Sequence, residues 1–337
     1  MKLRYLFKYF FMPRRFNNKN RTLLLFAVLF FVPARGYSQR KSDFVVMEDS
    51  IVRLHRSIIA ERDNQIRHQQ NEKLLYILEE TLGLNNSMSY PFDSIKTIAV
   101  VSSPDKKVRL FTWYLIDDKG NHEHFGFLQA YNETKKRYMV YPLIDKWQRL
   151  ENPAGRMLSC DNWFGALYTK LIEVKGATGN YYTLLGWNGG TLFSQYKVIE
   201  VLTFNTDGRP IFGGQVFYDY SKNRRPARIV FEYNKKGYLH LSYEKQAFMQ
   251  RSAKKNKKTN KYTMEKISAN MIVFNRLIPM REGVSGSHMM VGEASLNDAF
   301  IEQEGKWFFK QDVIATTPEK PKPKREQTTR NHYKPEE

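Results

Sequence analysis

From Thr97 onward the chain consists of short runs rich in Val, Ile, Phe and Tyr, each ended by a turn signal. β-Branched and aromatic side chains pack well on a pleated surface, and Asp, Asn, Gly and Pro clusters reverse the chain between runs. Thr97–Ser102, Val108–Ile116, Glu123–Tyr131 and Arg137–Leu143 therefore read as a meander, with tight turns at Ser103–Lys106 and Asp117–Gly120. Tyr181–Trp187, Tyr196–Phe204 and Pro210–Tyr220 continue the pattern, with Gly213-Gly214 as a bulge inside the last. Arg228–Tyr233 is expected to pair with Tyr238–Tyr243 across Asn234–Gly237, and Met271–Phe274 and Trp307–Val313 are late strands. Asp161–Val174 breaks the rule. Phe164, Leu167, Tyr168, Leu171 and Ile172 share one helical face, so a short helix capped by Asp161 is expected there. The turns at 118–120, 207–208 and 234–237 are too irregularly spaced to mark a repeat.

The segment before these runs has a different period. Ile51, Leu54, Ile58 and Ile59, then Leu74, Leu75, Leu78 and Leu82, recur every three or four residues between Met47 and Leu84. One long helix or two shorter ones satisfy this spacing, with Asp49 or Ser50 as N-cap and Gly83 as the stop. Asn85–Asp93 is a linker. The whole is mainly β, an antiparallel sandwich or open barrel of about ten to twelve strands with an N-terminal helical segment.

The first 21 residues carry seven basic groups and no acidic one, and the apolar run Thr22–Pro33 follows. Gly36 and Ser38 then place small residues three and one positions before Gln39. A basic head, a short apolar core and small residues at the cleavage site are the parts of a secretory signal peptide. The run has 12 residues, against the roughly 20 a membrane-spanning helix needs. Cleavage between Ser38 and Gln39 is expected, giving a periplasmic or secreted protein with no transmembrane span after processing. Met12 offers a second start for a shorter signal. Four segments result: signal peptide 1–38, helical segment and linker 39–92, β-rich domain 93–315, and a disordered basic tail 316–337 with six basic residues and four Glu.

Charge and cysteine follow from that division. Residues 1–38 hold eight of the 54 Lys and Arg, so their removal lowers the net charge from +20 to +12. Six of the remaining basic residues fall in Arg251–Lys261, read as a flexible loop. Such clustered charge on an exported chain argues against nucleic acid as a partner and allows loose contact with an anionic envelope surface. Cys160 is the only cysteine, so no internal disulfide can form and a hydrophobic core must hold the fold.

No assembled catalytic, metal or cofactor motif is present, and no cofactor is expected. Cys160 lacks a nearby histidine base in the sequence. His122 and His124 face the same side of a strand, but zinc requires a further ligand. Gly186–Gly190 lacks the ending of a phosphate loop and reads as a turn. Asp145, Asp161, Glu200 and Asp219 are scattered carboxylates, and a glycosidase pair among them is a matter of distance. Trp163, Tyr168 and Trp187 are the binding candidates, because aromatic faces stack on sugars and apolar ligands.

Ser103–Trp113, Trp163–Tyr168, Leu184–Trp187 and Phe231–Tyr233, together with the Ser-Gln cleavage site, resemble an uncharacterised exported β-rich protein family of Bacteroidota-type bacteria. The resemblance spans about residues 75–315 and implies export and a shared fold, but no activity. The sequence thus favours a non-enzymatic, envelope-associated protein that binds an envelope protein or glycan. The alternative is an envelope hydrolase acting on glycan or peptide.

Overall fold

The computed structural model describes residues 41–177, 179–221, 225–255 and 258–313. The signal peptide and the basic tail expected at 1–38 and 316–337 lie outside them. Among the described residues the chain is mainly β, with two helices ahead of three largely antiparallel sheets and no closed barrel. Among the described residues, no helix is long and apolar enough to cross a membrane.

Helix α1 (Lys41–Ala60) starts well before Asp49 and Ser50, so neither is its N-cap. Phe44, Glu48, Ile51, His55 and Ile58 are all buried, and that stripe of alternating fours and threes begins upstream of the expected start. Asp63 then caps α2 (Asn64–Gly83) by accepting from the Ile66 N–H at 2.9 Å, so the segment is two helices. Leu74, Leu78 and Leu82 form the buried stripe of α2.

The first sheet is the expected meander: β1 (Ala99–Ser102), β2 (Val108–Ile116), β3 (His122–Asn132) and β4 (Arg137–Ile144), paired in chain order. The second sheet holds β5 (Leu158–Ser159), β6 (Leu167–Gly176), β7 (Gly179–Asn188), β8 (Ser194–Phe204), β9 (Pro210–Phe212) and β11 (Ile229–Asn234). The third runs β10 (Phe217–Tyr218), β15 (Lys306–Lys310), β14 (Met290–Gln303), β13 (Tyr262–Pro279) and β12 (Leu241–Lys255), with only β10 and β15 parallel.

The period of two assigns each strand's side chains to opposite layers. On β2, Val108 and Leu110 face the second sheet, and Phe111, Trp113 and Leu115 face the helices. On β7, Tyr182 and Leu184 meet the first sheet, and Tyr181 and Leu185 meet the third. β8 repeats this, with Val198 and Leu202 on one side and Ile199 and Val201 on the other. Helices, first sheet, second sheet and third sheet therefore share three apolar interfaces. The second sheet is covered on both faces.

Further expectations are corrected. Asp161–Val174 is not a helix: a short 3-10 turn (Cys160–Asn162) leads into strand β6. The register against β7 slips between Tyr168 and Lys170, which puts Tyr168 and Leu171 on the same face despite their separation of three. That bulge imitates a helical period. Second, β11 does not form a hairpin with the following strand. It pairs with β8, from Ile229 opposite Ile199 to Asn234 opposite Ser194, and β12 pairs with β13. The Gln195 amide donates to the Lys235 carbonyl at 2.9 Å and ties the turn to β8. Ile229, Phe231 and Tyr233 thus face Leu239 and Leu241 across the sheet interface. Third, the lysine-rich segment is not simply a loop, because β12 continues to Lys255 and β13 resumes at Tyr262.

Gly213-Gly214 does more than bulge a strand. It ends β9, and the chain passes to the third sheet at β10. Gly213 has φ +114°, and a Cβ there would lie 3.2 Å from the Arg228 guanidinium. Arg228 is fully buried and donates through Nε to Glu200 Oε2 at 2.7 Å. It also donates to the carbonyls of Pro153, of Arg156 at 2.9 Å and of Phe212 at 3.0 Å. Burial raises the Glu200 carboxyl from its usual range, and the guanidinium opposes that rise.

Arg228→Met strands a buried carboxylate and three carbonyls, and is expected to cost roughly 3–5 kcal/mol in urea unfolding. The double replacement Glu200→Leu/Arg228→Met restores little of this, because the three carbonyls remain without donors. A loss below about 1 kcal/mol for Arg228→Met would contradict this role.

Candidate functional site

The site is built where β3 begins, β4 ends and the loop after β7 crosses them. The turn Asp117–Gly120 delivers His122, Glu123 and His124 at the start of β3. Asp117 Oδ1 accepts from the Lys119 and Asn121 N–H groups at 2.9 and 2.8 Å, and its Oδ2 accepts from the Asn121 side-chain amide at 2.9 Å. The turn is thereby closed by its own first residue. Strand β4 ends at Ile144, and Asp145 makes an isolated parallel bridge with Trp163.

Asp145 organises the centre. Its Oδ2 accepts from both the backbone N–H and the ring Nδ1–H of His124, each at 2.9 Å. Its Oδ1 accepts from the Trp147 N–H at 2.9 Å. His124 Nε2 faces the Gly189 N–H at 3.4 Å, which assigns the ring proton to Nδ1. Both nitrogens of this histidine are therefore engaged inside the protein.

Two glycines make the arrangement possible. A Cβ on Gly189 would lie 2.0 Å from the His122 ring, and one on Gly165 would lie 2.4 Å from the Asp145 carboxylate. Asn188 fixes this backbone: its amide donates to the Gly165 carbonyl at 2.7 Å, and its Oδ1 accepts from Gly190 N–H at 2.7 Å.

His122 is different from His124. It is 5% exposed, and its buried Nδ1 has no partner among the described residues. Its ring packs 5.0 Å from Tyr114 and edge-on to Trp187 at 5.5 Å. Burial, with smaller contributions from Lys235 and His124, lowers it to about 4, so the ring is neutral near pH 7. Lys235 donates to the Gly189 carbonyl at 2.6 Å, and burial lowers its ammonium from the usual range.

A cleft of about 260 Å³ opens over these groups, lined by Asp117, Asn121, His122, Glu123, Asp145 and the segment 146–149. Glu123 lines it, and its carboxylate lies 3.8 Å from His68 Nε2. Desolvation by its surroundings raises the Glu123 carboxyl, opposed by His68 and reinforced by Asp145 and Asp117. Trp147 is half-buried and held by its indole N–H, which donates to the His122 carbonyl at 3.1 Å.

The three aromatic residues expected to bind a ligand are placed around this centre. Trp163 and Tyr168 are closed off from solvent, and the Trp163 indole donates to the Tyr168 hydroxyl at 2.9 Å. They form the wall behind His124, whose ring lies edge-on to Trp163 at 6.5 Å. Trp187 is half-buried and donates to Gln195 Oε1 at 2.8 Å. Cys160 is buried, and desolvation, reinforced by the Asp161 carboxylate, pushes its thiol up to about 12. Among the described residues, no group of three or more His, Cys, Asp or Glu side chains is arranged to hold a metal ion.

Comparison with protein-family models, curated proteins and solved structures returned no match.

His122 and His55 share one consequence. Burial lowers both to about 4 in the folded chain, whereas an unfolded histidine titrates at about 6.5. The unfolded state binds more protons between these values, so stability is full above about pH 6.5 and falls as the pH drops towards 4. Each histidine contributes as much as about 3 kcal/mol to that fall. Urea midpoints measured from pH 7.5 to 4 should show it, and His122→Phe should flatten the slope. An unchanged slope in that variant would contradict the neutral, buried assignment.

Proposed function

We propose that the chain is exported, is cleaved between Ser38 and Gln39, and works as a non-enzymatic envelope-associated protein that binds glycan in the cleft beside Trp147. The carrying observation is how the cleft's carboxylates are used. Asp145 has both oxygens occupied by His124 and Trp147, and Asp117 closes its own turn. Their hydrogen bonds fix shape, which suits recognition more than proton transfer. Glu123, Gln148, Lys146 and Arg149 remain to meet a ligand rich in hydroxyls, and Trp147 offers part of an aromatic face. Export is supported by the basic head, short apolar run and small residues before Gln39, and by the resemblance to exported Bacteroidota-type proteins.

One observation favours the hydrolase alternative. The raised Glu123 carboxyl is the state a general acid needs. A second carboxylate with free oxygens would have to join it, and Asp145 and Asp117 do not offer them.

The test starts with protein recovered from the cell envelope. Its N-terminal sequence should begin at Gln39, and an intact chain recovered from the cytosol would contradict export. The same protein should be retained on an array of bacterial envelope polysaccharides, with Trp147→Ala weakening retention about tenfold and Glu123→Gln weakening it without loss of fold. Release of reducing sugar by the parent protein, abolished in Glu123→Gln, would overturn the non-enzymatic reading.

A further inference from the structure

A second cavity, of about 250 Å³, lies where α1 and α2 meet above β2. It exists because the chain breaks at Glu61–Asp63, so the two helix ends part over the sheet. Ile58, Ile59, Trp113, Leu115, Ile116 and Leu167 make its wall apolar. Two of these stay open to solvent at the mouth, Ile59 at 62% and Ile116 at 39%. On the floor His55 Nδ1 and the Thr97 hydroxyl share a hydrogen bond of 2.7 Å, which pairs these two groups with each other.

Arg67 is the cation of the cavity. Its Nε is buried and has no partner among the described residues. One terminal nitrogen donates to Asn64 Oδ1 at 3.0 Å, and the carboxylate of Asp118 lies 3.9 Å away and is itself 75% exposed. A solvated pair at that distance does little to neutralise a guanidinium. A cation with an unused, desolvated donor beside an apolar wall is complementary to an anion carrying a hydrocarbon tail. The cavity lies just below the roughly 300–1,000 Å³ of drug-sized pockets, so the tail is short.

We propose that this cavity binds a short-chain aliphatic carboxylate, its tail against Ile58, Ile59, Leu115 and Ile116 and its carboxylate on Arg67. The site is separate from the Trp147 cleft and does not depend on glycan binding there.

Titration calorimetry of the mature protein with octanoate, octanol and inorganic phosphate tests this. Octanoate should bind at least tenfold more tightly than octanol, and phosphate alone should not bind. Arg67→Met should bring octanoate down to the level of octanol, with a melting temperature within about 2 °C of the parent. Ile59→Asp, on an exposed position, should weaken both ligands. Equal binding of octanoate and octanol, no octanoate binding to the parent, or full affinity in Arg67→Met would overturn the proposal.

Discussion

The second sheet has no solvated face, and that constraint governs the rest of the molecule. Strands β7 and β8 give alternate side chains to the first sheet and to the third. A single step of register would exchange the two sets, burying each against the wrong layer. The fully buried Glu200–Arg228 pair lies inside this sheet and fixes its edges further. Arg228 reaches from the start of β11 to Glu200 on β8 and to the Phe212 carbonyl at the end of β9. An isolated ion pair of this kind contributes little net stability, but the three carbonyls give it partners that an apolar pair cannot replace.

The cleft depends on the same frame. Asn188 closes β7, and Gly189 and Gly190 carry that end of the second sheet onto the first residues of β3. The His122 N–H donates to the Gly190 carbonyl at 2.8 Å, so the two sheets are joined at the site itself. Asp145 then sets His124 and the turn bearing Trp147. A surface whose polar groups are already hydrogen-bonded within the protein has less to order on binding. Its shape is set by glycines that admit the His122 ring and the Asp145 carboxylate, not by the aromatic residues a reader of the sequence would choose first.

Much of the architecture was legible because local period and local turn chemistry carry it. The meander β1–β4 has alternating side chains and turns closed by Asp, Lys and Gly, and its strands pair in chain order. β6 was not legible. Its bulge at Tyr168–Lys170 places residues three apart on one face, and a period alone cannot separate that from a helix. The partner of β11 was hidden for another reason. Tyr238–Tyr243 is nearer in sequence, but β8 is the strand left with an open edge beside the turn. At the site, the His122 and His124 pair was visible as a motif. Asp145 stood only among scattered carboxylates, and Trp147 carried no signal because its role comes from the carbonyl and carboxylate that hold it.

Native-state hydrogen exchange, read strand by strand, measures how far the other layers depend on the second sheet. The amides of Thr183–Gly186 and Val198–Val201 should exchange only through global unfolding, with the free energy measured by urea. Arg228→Met should lower both values together. Exchange of these amides through a smaller opening, ahead of those in α1 and α2, would contradict the account, because the layers would then not depend on the sheet between them.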